Sequence, residues 1–303
     1  MKSDFIWMNG ELVPFQEAQI HVLNPTLHYG LGGFEGIRAY ETDAGPAVFR
    51  LQEHMARFLE TVHIAGVQNF PFTLEELLEA VLDTIRANHL SSCYVRPLFY
   101  MSGPLGINPD TWAPAVAVAA WEWGPYLGEE ALHSGVHLMV SSFTRHHVNV
   151  TMTKAKISGN YVNSAFAKSL AVRSGYDEAV LLDPEGYVAE CSGENIFIVR
   201  RGTLYTPPLS AVLEGLTRDS ILTLAADQDL KVLEESISRD QLYTADEVFI
   251  CGTAAEVVPV RAIDHRRIAD GSRGPITTLL QEVFYQTARG NGRRSQEWLT
   301  YLD

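Results

Sequence analysis

Residues 155–161 read Ala-Lys-Ile-Ser-Gly-Asn-Tyr, and residues 190–197 read Glu-Cys-Ser-Gly-Glu-Asn-Ile-Phe. The first stretch puts Lys156 on a short apolar segment that enters a glycine turn, and the second begins with the carboxylate of Glu190. A lysine can hold an aldehyde cofactor as an imine, and a carboxylate opposite the ring nitrogen of that cofactor makes the ring an electron sink. Together the two stretches predict a pyridoxal 5'-phosphate site.

The composition is that of an ordinary globular protein. The chain has 303 residues, of which 46% are hydrophobic and 20% charged, enough for two domains with cores of their own. The formal net charge of −14 argues against a nucleic-acid partner, because such proteins neutralise phosphates with clustered Lys and Arg. Cys93, Cys191 and Cys251 are too few and too scattered for a disulfide framework or a zinc site. We therefore expect reduced, mostly buried cysteines and no metal.

The sequence contains no recognisable membrane span or export signal. The longest apolar run, residues 113–121, is interrupted by Pro114 and falls far short of the roughly 20 residues that cross a bilayer. The first residues lack a basic region followed by an apolar one. We expect a cytoplasmic protein without a membrane partner.

The element pattern predicts a mixed α/β (α+β) fold with two domains. Residues 1–122 are expected to form a small α/β domain, residues 123–133 an interdomain loop, and residues 134–303 a larger domain that binds the cofactor.

Within the first domain, Asn9-Gly10 predicts a tight hairpin turn, because both residues tolerate a positive φ. Residues 53–66 and 73–90 carry apolar residues at helical spacing, and Thr73 begins a capping box. Strands are expected to outnumber long helices overall, and the tail after Arg289 is expected to be loosely ordered.

Two lysines compete for the cofactor. Lys154 and Lys156 are two residues apart, and a strand would place both side chains on one face, so spacing does not choose between them. The Gly-Asn-Tyr that follows at residues 159–161 favours Lys156.

Phosphate recognition needs backbone donors or a helix N-terminus together with a cation. Residues 215–218, Gly-Leu-Thr-Arg, begin a predicted helix. Residues 251–255, Cys-Gly-Thr-Ala-Ala, form a turn of small residues through which the backbone can approach an anion. Arg57, on the first long predicted helix, is a candidate for the cation, with an exposed surface arginine as the alternative.

The run from residue 190 to residue 218 resembles the signature of the class IV pyridoxal phosphate-dependent aminotransferases. Ten positions match that pattern: Glu190, Asn195, Ile196, Phe197, Leu204, Thr206, Leu213, Gly215, Leu216 and Arg218. The resemblance covers nearly the whole chain, including Phe-Glu-Gly-Ile-Arg at residues 34–38 and Tyr-Val-Arg-Pro at residues 94–97. Within the class, the chain is most similar to the branched-chain amino acid aminotransferases. That family implies fold type IV, with a small α/β domain, a larger domain with a β-barrel-like core, and an active site between them.

The resemblance also implies roles for single residues. Lys156 corresponds to the catalytic Schiff-base lysine, Glu190 to the partner of the pyridine nitrogen, and Tyr161 to the partner of the phenolic oxygen. The positions around the cofactor's phosphate are Arg57, Leu216, Thr217 and Thr253.

The family pattern assigns substrate contacts as well. Tyr94 and the backbone at Thr253 and Ala254 match the α-carboxylate pocket. The groups that handle the side-chain carboxylate of glutamate match Tyr29, Arg38 and Arg96, and the apolar wall matches Phe34, Gly36 and Tyr126. A pocket for aliphatic and acidic side chains alike needs apolar walls with a rim of Arg and Tyr donors. Residues 100–106 and 145–150 depart from common sequences of the family and bear on the substrate range.

The predicted activity is a ping-pong transamination between L-branched-chain amino acids (Leu, Ile, Val) and 2-oxoglutarate. The resemblance implies at least a homodimer, in which the loop after Ser102 reaches the neighbouring subunit. D-amino acid aminotransferases, (R)-amine transaminases and aminodeoxychorismate lyases share the fold and remain alternatives, as does a non-catalytic cofactor-binding protein. The glycine-rich residues 30–36 carry little weight as a dinucleotide site, because they lack the Gly-x-Gly-x-x-Gly spacing and a strand-turn-helix context.

Overall fold

The computed structural model describes residues 3–302. The helices in this range are α1 (Pro25–Tyr29), α2 (Leu51–Ile64), α3 (Leu74–Ala87), α4 (Glu129–Ser134), α5 (Tyr161–Arg173), α6 (Leu216–Asp227), α7 (Arg239–Tyr243), α8 (Pro275–Ala288) and α9 (Ser295–Trp298). The strands are β1 (Phe5–Met8), β2 (Glu11–Pro14), β3 (Gly32–Phe34), β4 (Ile37–Thr42), β5 (Gly45–Phe49), β6 (Cys93–Ser102), β7 (Ala113–Trp121), β8 (Val136–Val140), β9 (Glu178–Leu182), β10 (Val188–Cys191), β11 (Asn195–Arg200), β12 (Thr203–Thr206), β13 (Val232–Glu234), β14 (Glu247–Gly252), β15 (Glu256–Ile263), β16 (Arg266–Arg267) and β17 (Leu299–Tyr301).

The chain divides into two compact units. Among the described residues, the first unit contains residues 3–123, 155–159 and 287–302, and the second contains residues 124–154 and 160–286. The domain bounds predicted from the sequence stay a prediction. They put residues 155–159 and 287–302 in the second domain, whereas these residues belong to the first of the two compact units. Within residues 3–302, no helix is both long and apolar enough to cross a membrane.

An antiparallel sheet forms the first unit, in the strand order β17-β5-β4-β6-β7-β1-β2, with β3 paired to β6. The predicted hairpin at Asn9-Gly10 is confirmed: it joins β1 to β2, and both residues have positive φ. The capping box at Thr73 is also confirmed, at the start of α3. Helices α2 and α3 pack together and against the sheet, and bury Phe58 and Ile85 in its core.

The C-terminal segment is ordered, contrary to the loose tail predicted after Arg289. Strand β17 pairs with β5, and Leu299 lies opposite Phe49. Trp298 is buried and packs edge-on against Phe49, at a centroid distance of 5.7 Å. Pairing with a strand far away in the sequence orders this segment, which is too short to show a periodicity of its own.

The second unit contains a mixed sheet in the order β10-β9-β8-β15-β14-β11-β12-β13, with β16 paired to β15. The pairs β8–β9, β8–β15 and β12–β13 are parallel. Strands β10 and β11 also contact each other although five steps separate them along the sheet, so the strands between them curl as in a barrel. The interior is aliphatic and includes Val180, Ile196 and Ile250. The three cysteines are buried and form no disulfide, as expected.

Candidate active site

The backbone of Lys156 is held between β3 and α2. Its N–H donates to Thr61 Oγ1 of α2 at 3.1 Å, and its carbonyl accepts from the N–H of Phe34 at 3.1 Å. Three residues later, the N–H of Gly159 donates to the carbonyl of Gly30 at 3.1 Å. Because hydrogen bonds fix the segment on both sides, the side chain of Lys156 starts from a defined position.

Lys154 has different partners, all in the second unit. Its ammonium group donates to the carbonyls of Leu209 and Val212, the latter at 3.0 Å, and lies 3.4 Å from the carboxylate of Glu214. The segment is not a regular strand, so the two-residue alternation of a strand does not apply to the two lysines. The ammonium of Lys154 already donates to the carbonyls of Leu209 and Val212. This favours Lys156 as the reactive amine.

The carboxylate of Glu190 lies at the end of β10 and is only 7% exposed. Its Oε1 lies 2.6 Å from Nε of Arg145, which is itself buried. Its Oε2 accepts from the N–H of Leu213 at 3.2 Å and from Nδ2 of Asn195 at 3.4 Å. A guanidinium and two N–H donors favour the ionised carboxylate and fix its orientation. The second unit therefore contains a buried carboxylate that Arg145, Leu213 and Asn195 hold in place.

Sequence reasoning missed Arg145, which belongs to a stretch noted only for departing from the family. Its partner Glu190 is distant in the sequence, and no local pattern connects the two. The geometry also explains two positions of the signature. A Cβ on Gly215 would lie 2.0 Å from Oδ1 of Asn195, so the side chain that holds Glu190 requires a glycine at this position.

Two features suited to an anion lie in the second unit. Leu216 and Thr217 are the first residues of α6, where N–H groups point along the axis and the helix dipole favours a negative charge. Thr253 and Ala254 lie in the short turn between β14 and β15, and α6 packs against β14. Tyr126 also joins this region, since its N–H donates to the carbonyl of Ala254 at 3.4 Å.

Tyr161 is the first residue of α5 and is partly buried.

Arg57 lies on α2, as predicted, but it is not a surface arginine. It is 8% exposed, and its Nε donates to Oε1 of Glu35 at 2.7 Å. Sequence reasoning did not single out Glu35, which is fully buried.

Four of the residues predicted to bind substrate come together in the first unit. Nη2 of Arg96 donates to Oη of Tyr94 at 2.8 Å, and the guanidinium of Arg96 lies 4.5 Å from the ring centroid of Phe34. The ammonium of Lys156 lies 5.1 Å from the same ring. Gly36 faces Tyr94 so closely that a Cβ would lie 2.0 Å from Oη. Phe34, Gly36, Tyr94 and Arg96 thus form one cluster beside Lys156.

The other two predicted residues of this unit have different surroundings. Arg38 lies opposite Tyr94 across β4 and β6, is buried, and donates from Nη1 to the carbonyl of Trp123 at 3.0 Å. Tyr29 is 42% exposed and stacks on Trp112.

A second group of buried acids surrounds Glu194. Burial and the charge of Glu178 raise the pKa of Glu194 to about 8, against the opposing charge of Lys168. Lys168 is already committed to Glu178, 2.7 Å away. At neutral pH, Glu194 therefore keeps a proton in the folded protein.

Replacing Glu194 with Gln is expected to change how stability depends on pH. Between about pH 4.5 and 8 the unfolded chain loses a proton that the folded chain keeps, so the free energy of unfolding falls as pH rises. The amide cannot ionise, so the stability of the variant relative to its parent rises across this window by on the order of 1.4 kcal/mol per pH unit. Thermal unfolding from pH 5 to 8.5 measures the difference, with the exposed Glu185→Gln as control. Parallel curves for Glu194→Gln and its parent would contradict the assignment.

Comparison with known proteins identifies the family. Residues 32–263 match the family model of amino-transferase class IV. The chain belongs to this family, as the sequence interpretation predicted.

Similar proteins include several branched-chain amino acid aminotransferases. The branched-chain-amino-acid aminotransferase of Pseudomonas aeruginosa is 50% identical over 302 residues, which cover 99% of this chain and 98% of that protein. The crystal structure of a T.th. branched-chain amino acid aminotransferase with pyridoxamine 5'-phosphate is 51% identical and superposes with a TM-score of 0.97. A second structure of that enzyme, complexed with N-(5'-phosphopyridoxyl)-L-glutamate, is 49% identical with a TM-score of 0.96. Both superpositions cover 100% of either chain. The predicted fold class, fold type IV, is thereby confirmed.

Proposed function

We propose that this protein is a pyridoxal 5'-phosphate-dependent aminotransferase that exchanges amino groups between L-branched-chain amino acids and 2-oxoglutarate. The observation that carries the proposal is the buried anion of Glu190, fixed by Arg145, Leu213 and Asn195. A carboxylate fixed in this way suits a protonated pyridine nitrogen. The relatives supply the substrate class, since they are named for branched-chain amino acids and one is complexed with a phosphopyridoxyl-glutamate.

The donor set of the chain fits this cofactor. Lys156 provides the amine for its aldehyde and Glu190 the anion for its ring nitrogen. Arg57, the first turn of α6 with Leu216 and Thr217, and the turn at Thr253 provide a cation and backbone donors for a phosphate. We assign the phenolic oxygen to Tyr161. The bound cofactor supplies an electrophilic carbonyl and an electron sink for the α-carbon of the amino acid.

The side chains and backbone of the protein transfer the protons and bind the substrate. Nζ of Lys156 acts first as a general base, which removes the α-proton of the amino acid. It then acts as a general acid and gives the proton to the cofactor. The carboxylate of Glu190 keeps the proton on the ring nitrogen. We assign the α-carboxylate to Tyr94 and the backbone at Thr253 and Ala254.

The acidic side chain of glutamate is assigned to Arg96, Arg38 and Tyr29, and the apolar wall to Phe34, Gly36 and Tyr126. A guanidinium beside an aromatic ring, as in Arg96 and Phe34, offers both a carboxylate partner and an apolar surface.

Half-reactions with the holoenzyme test the proposal. L-leucine, L-isoleucine or L-valine should each remove the absorption of the lysine-bound cofactor and release one equivalent of 2-oxo acid. 2-Oxoglutarate should then restore the absorption and yield L-glutamate. Conversion with D-valine or an (R)-arylalkylamine alone would favour the related transaminases of this fold. No conversion with any donor would favour a non-catalytic cofactor-binding protein.

Replacing Gly36 with Ala is expected to damage substrate binding without loss of the cofactor. The new methyl group would displace Tyr94 and with it the hydrogen bond from Arg96. We expect kcat/KM for both substrates to fall about 10- to 100-fold, because small misplacements of binding groups are costly. Steady-state kinetics and the cofactor spectrum measure the two effects.

Gly124→Ala is the matched control, since nothing lies within 4 Å of a Cβ at that position. Unchanged kinetics in Gly36→Ala would remove Tyr94 and Arg96 from the proposed pocket.

We further propose that the enzyme works in the cytoplasm as a homodimer or a higher oligomer, in which the loop after Ser102 reaches the neighbouring subunit. Light scattering of the purified protein and fractionation of its cells test these two points. A monomer with full activity would exclude the shared site.

A further inference from the structure

Glu35 and His54 form a buried polar group with Arg57 in the first unit. Glu35 is 0% exposed and lies in the two-residue connection between β3 and β4. Nε of Arg57 donates to its Oε1 at 2.7 Å, and Nη2 of Arg57 donates to its Oε2 at 2.8 Å. Nδ1 of His54 lies 2.8 Å from the same Oε2. The N–H of Glu35 donates to the carbonyl of Pro97 at 2.9 Å, so the backbone of Glu35 is fixed as well.

The charge states of the three groups follow from their surroundings. Burial by itself would raise the pKa of Glu35, but the charge of Arg57 and the hydrogen bonds from His54 and Arg57 lower it well below its ordinary value. Burial lowers the pKa of His54, and the charges of Arg57 and Lys156 act in the same direction, against Glu35. His54 is therefore neutral and Glu35 ionised at neutral pH. Since an ionised carboxylate only accepts, the proton of the imidazole lies on Nδ1.

The arrangement removes the freedom of the arginine side chain. A guanidinium is planar, and two parallel hydrogen bonds from Nε and Nη2 to one carboxylate fix the plane and direct Nη1 away from Glu35. An unrestrained arginine loses rotamer entropy when it is immobilised on a ligand. Here the fold has immobilised it in advance, which is how preorganisation improves affinity.

The same face of α2 also reaches the lysine segment. His54, Arg57 and Thr61 are spaced three and four residues apart and so share one side of the helix. Thr61 accepts the hydrogen bond from the N–H of Lys156. One helix face therefore fixes both a buried cation and the backbone of the proposed reactive lysine.

We propose that Glu35 and His54 are positioning residues that hold the guanidinium of Arg57 in the orientation in which it binds the phosphate group of the cofactor. Glu35 fixes the plane of the guanidinium, and His54 fixes the carboxylate. This inference rests on the proposed function, because it takes pyridoxal phosphate as the ligand. A buried ion pair that serves the fold alone is the competing explanation.

Pyridoxal, which lacks the phosphate, separates the two explanations. The full-length chain is stripped of cofactor and titrated with pyridoxal phosphate and with pyridoxal, and the absorption of the lysine-bound form gives both affinities. In Glu35→Gln, we expect the affinity for pyridoxal phosphate to fall about 10-fold or more, as for loss of a charged hydrogen bond. The affinity for pyridoxal should stay within about 2-fold of the parent. Equal losses for the two ligands would show a purely structural role and overturn the proposal.

Glu53→Gln is the matched control. Glu53 lies on α2 like Arg57, and its carboxylate, unlike the buried one of Glu35, is 38% exposed and pairs with Arg50 at 2.8 Å. Loss of the Glu53 carboxylate should leave the ratio of the affinity for pyridoxal phosphate to the affinity for pyridoxal unchanged. If Glu53→Gln lowers the ratio as much as Glu35→Gln does, the effect is not specific to Arg57 and the inference is wrong.

A pair of histidine variants keeps the test decisive if Glu35→Gln does not fold, since an unpaired buried arginine is costly. His54→Leu removes the donor to Glu35, whereas His54→Asn keeps an N–H near the position of Nδ1. We expect His54→Leu to lower the affinity ratio about 3-fold, as for a weakened hydrogen bond, and His54→Asn to restore most of it. Equal ratios in the parent and both variants would exclude His54 as a positioning residue. A parent chain that binds neither ligand covalently would instead contradict the proposed function.

Discussion

Replacing Lys156 with Ala is expected to abolish multiple turnover, with a loss of about 10³-fold or more. In the proposed mechanism, the substitution removes both the covalent attachment of the cofactor and the base that moves the α-proton. The absorption of the lysine-bound cofactor should vanish as well, because no other amine is expected in its place. Absorption spectra and steady-state transamination of L-leucine measure the two losses.

Lys154→Ala is the matched control, because Lys154 lies two residues away but donates to Leu209 and Val212. This variant should remain yellow and active, with at most a loss of stability. A yellow, fully active Lys156→Ala protein would show that another residue carries the cofactor.

Replacing Glu190 with Gln is expected to lower kcat about 10- to 100-fold and to leave the cofactor attached. A neutral amide cannot stabilise a proton on the ring nitrogen as a carboxylate does, and charge-assisted hydrogen bonds contribute roughly 1.5–3 kcal/mol. The substitution also leaves Arg145 without its anionic partner at 2.6 Å. The absorption band of the bound cofactor should shift, because the ring loses its positive charge.

The exposed Glu185, in the turn that leads into β10, provides the control for this change. Glu185→Gln should match the parent in kcat and spectrum. If Glu190→Gln keeps the kcat and the spectrum of the parent, the carboxylate has no role at the ring nitrogen.

Local signals in the sequence were sufficient for part of the fold. The hairpin at Asn9-Gly10 and the capping box at Thr73 depend on neighbouring residues, so their sequence patterns predict them directly. The pairing of β17 with β5 depends on residues at opposite ends of the chain, and no local pattern contains that information.

The candidate site divides in the same way. Lys156 and Glu190 are predicted from the sequence because each lies in a short run of characteristic residues. Arg145 and Glu35 are not, because each acts through a charge partner brought to it by the fold. Glu35 does stand in the Phe-Glu-Gly-Ile-Arg run used for the family resemblance, but that run does not name its partner, although a buried acid is almost always paired. The sequence thus singles out the proposed reactive groups, and the structure is needed to find the residues that contact and orient them.

The covalent attachment of the cofactor is the central claim, and reduction with borohydride tests it most directly. The holoenzyme is reduced, digested and analysed by mass spectrometry. We predict a single phosphopyridoxyl group, on Lys156. An adduct on Lys154 or another lysine, or no adduct in a protein supplied with pyridoxal phosphate, would contradict the account.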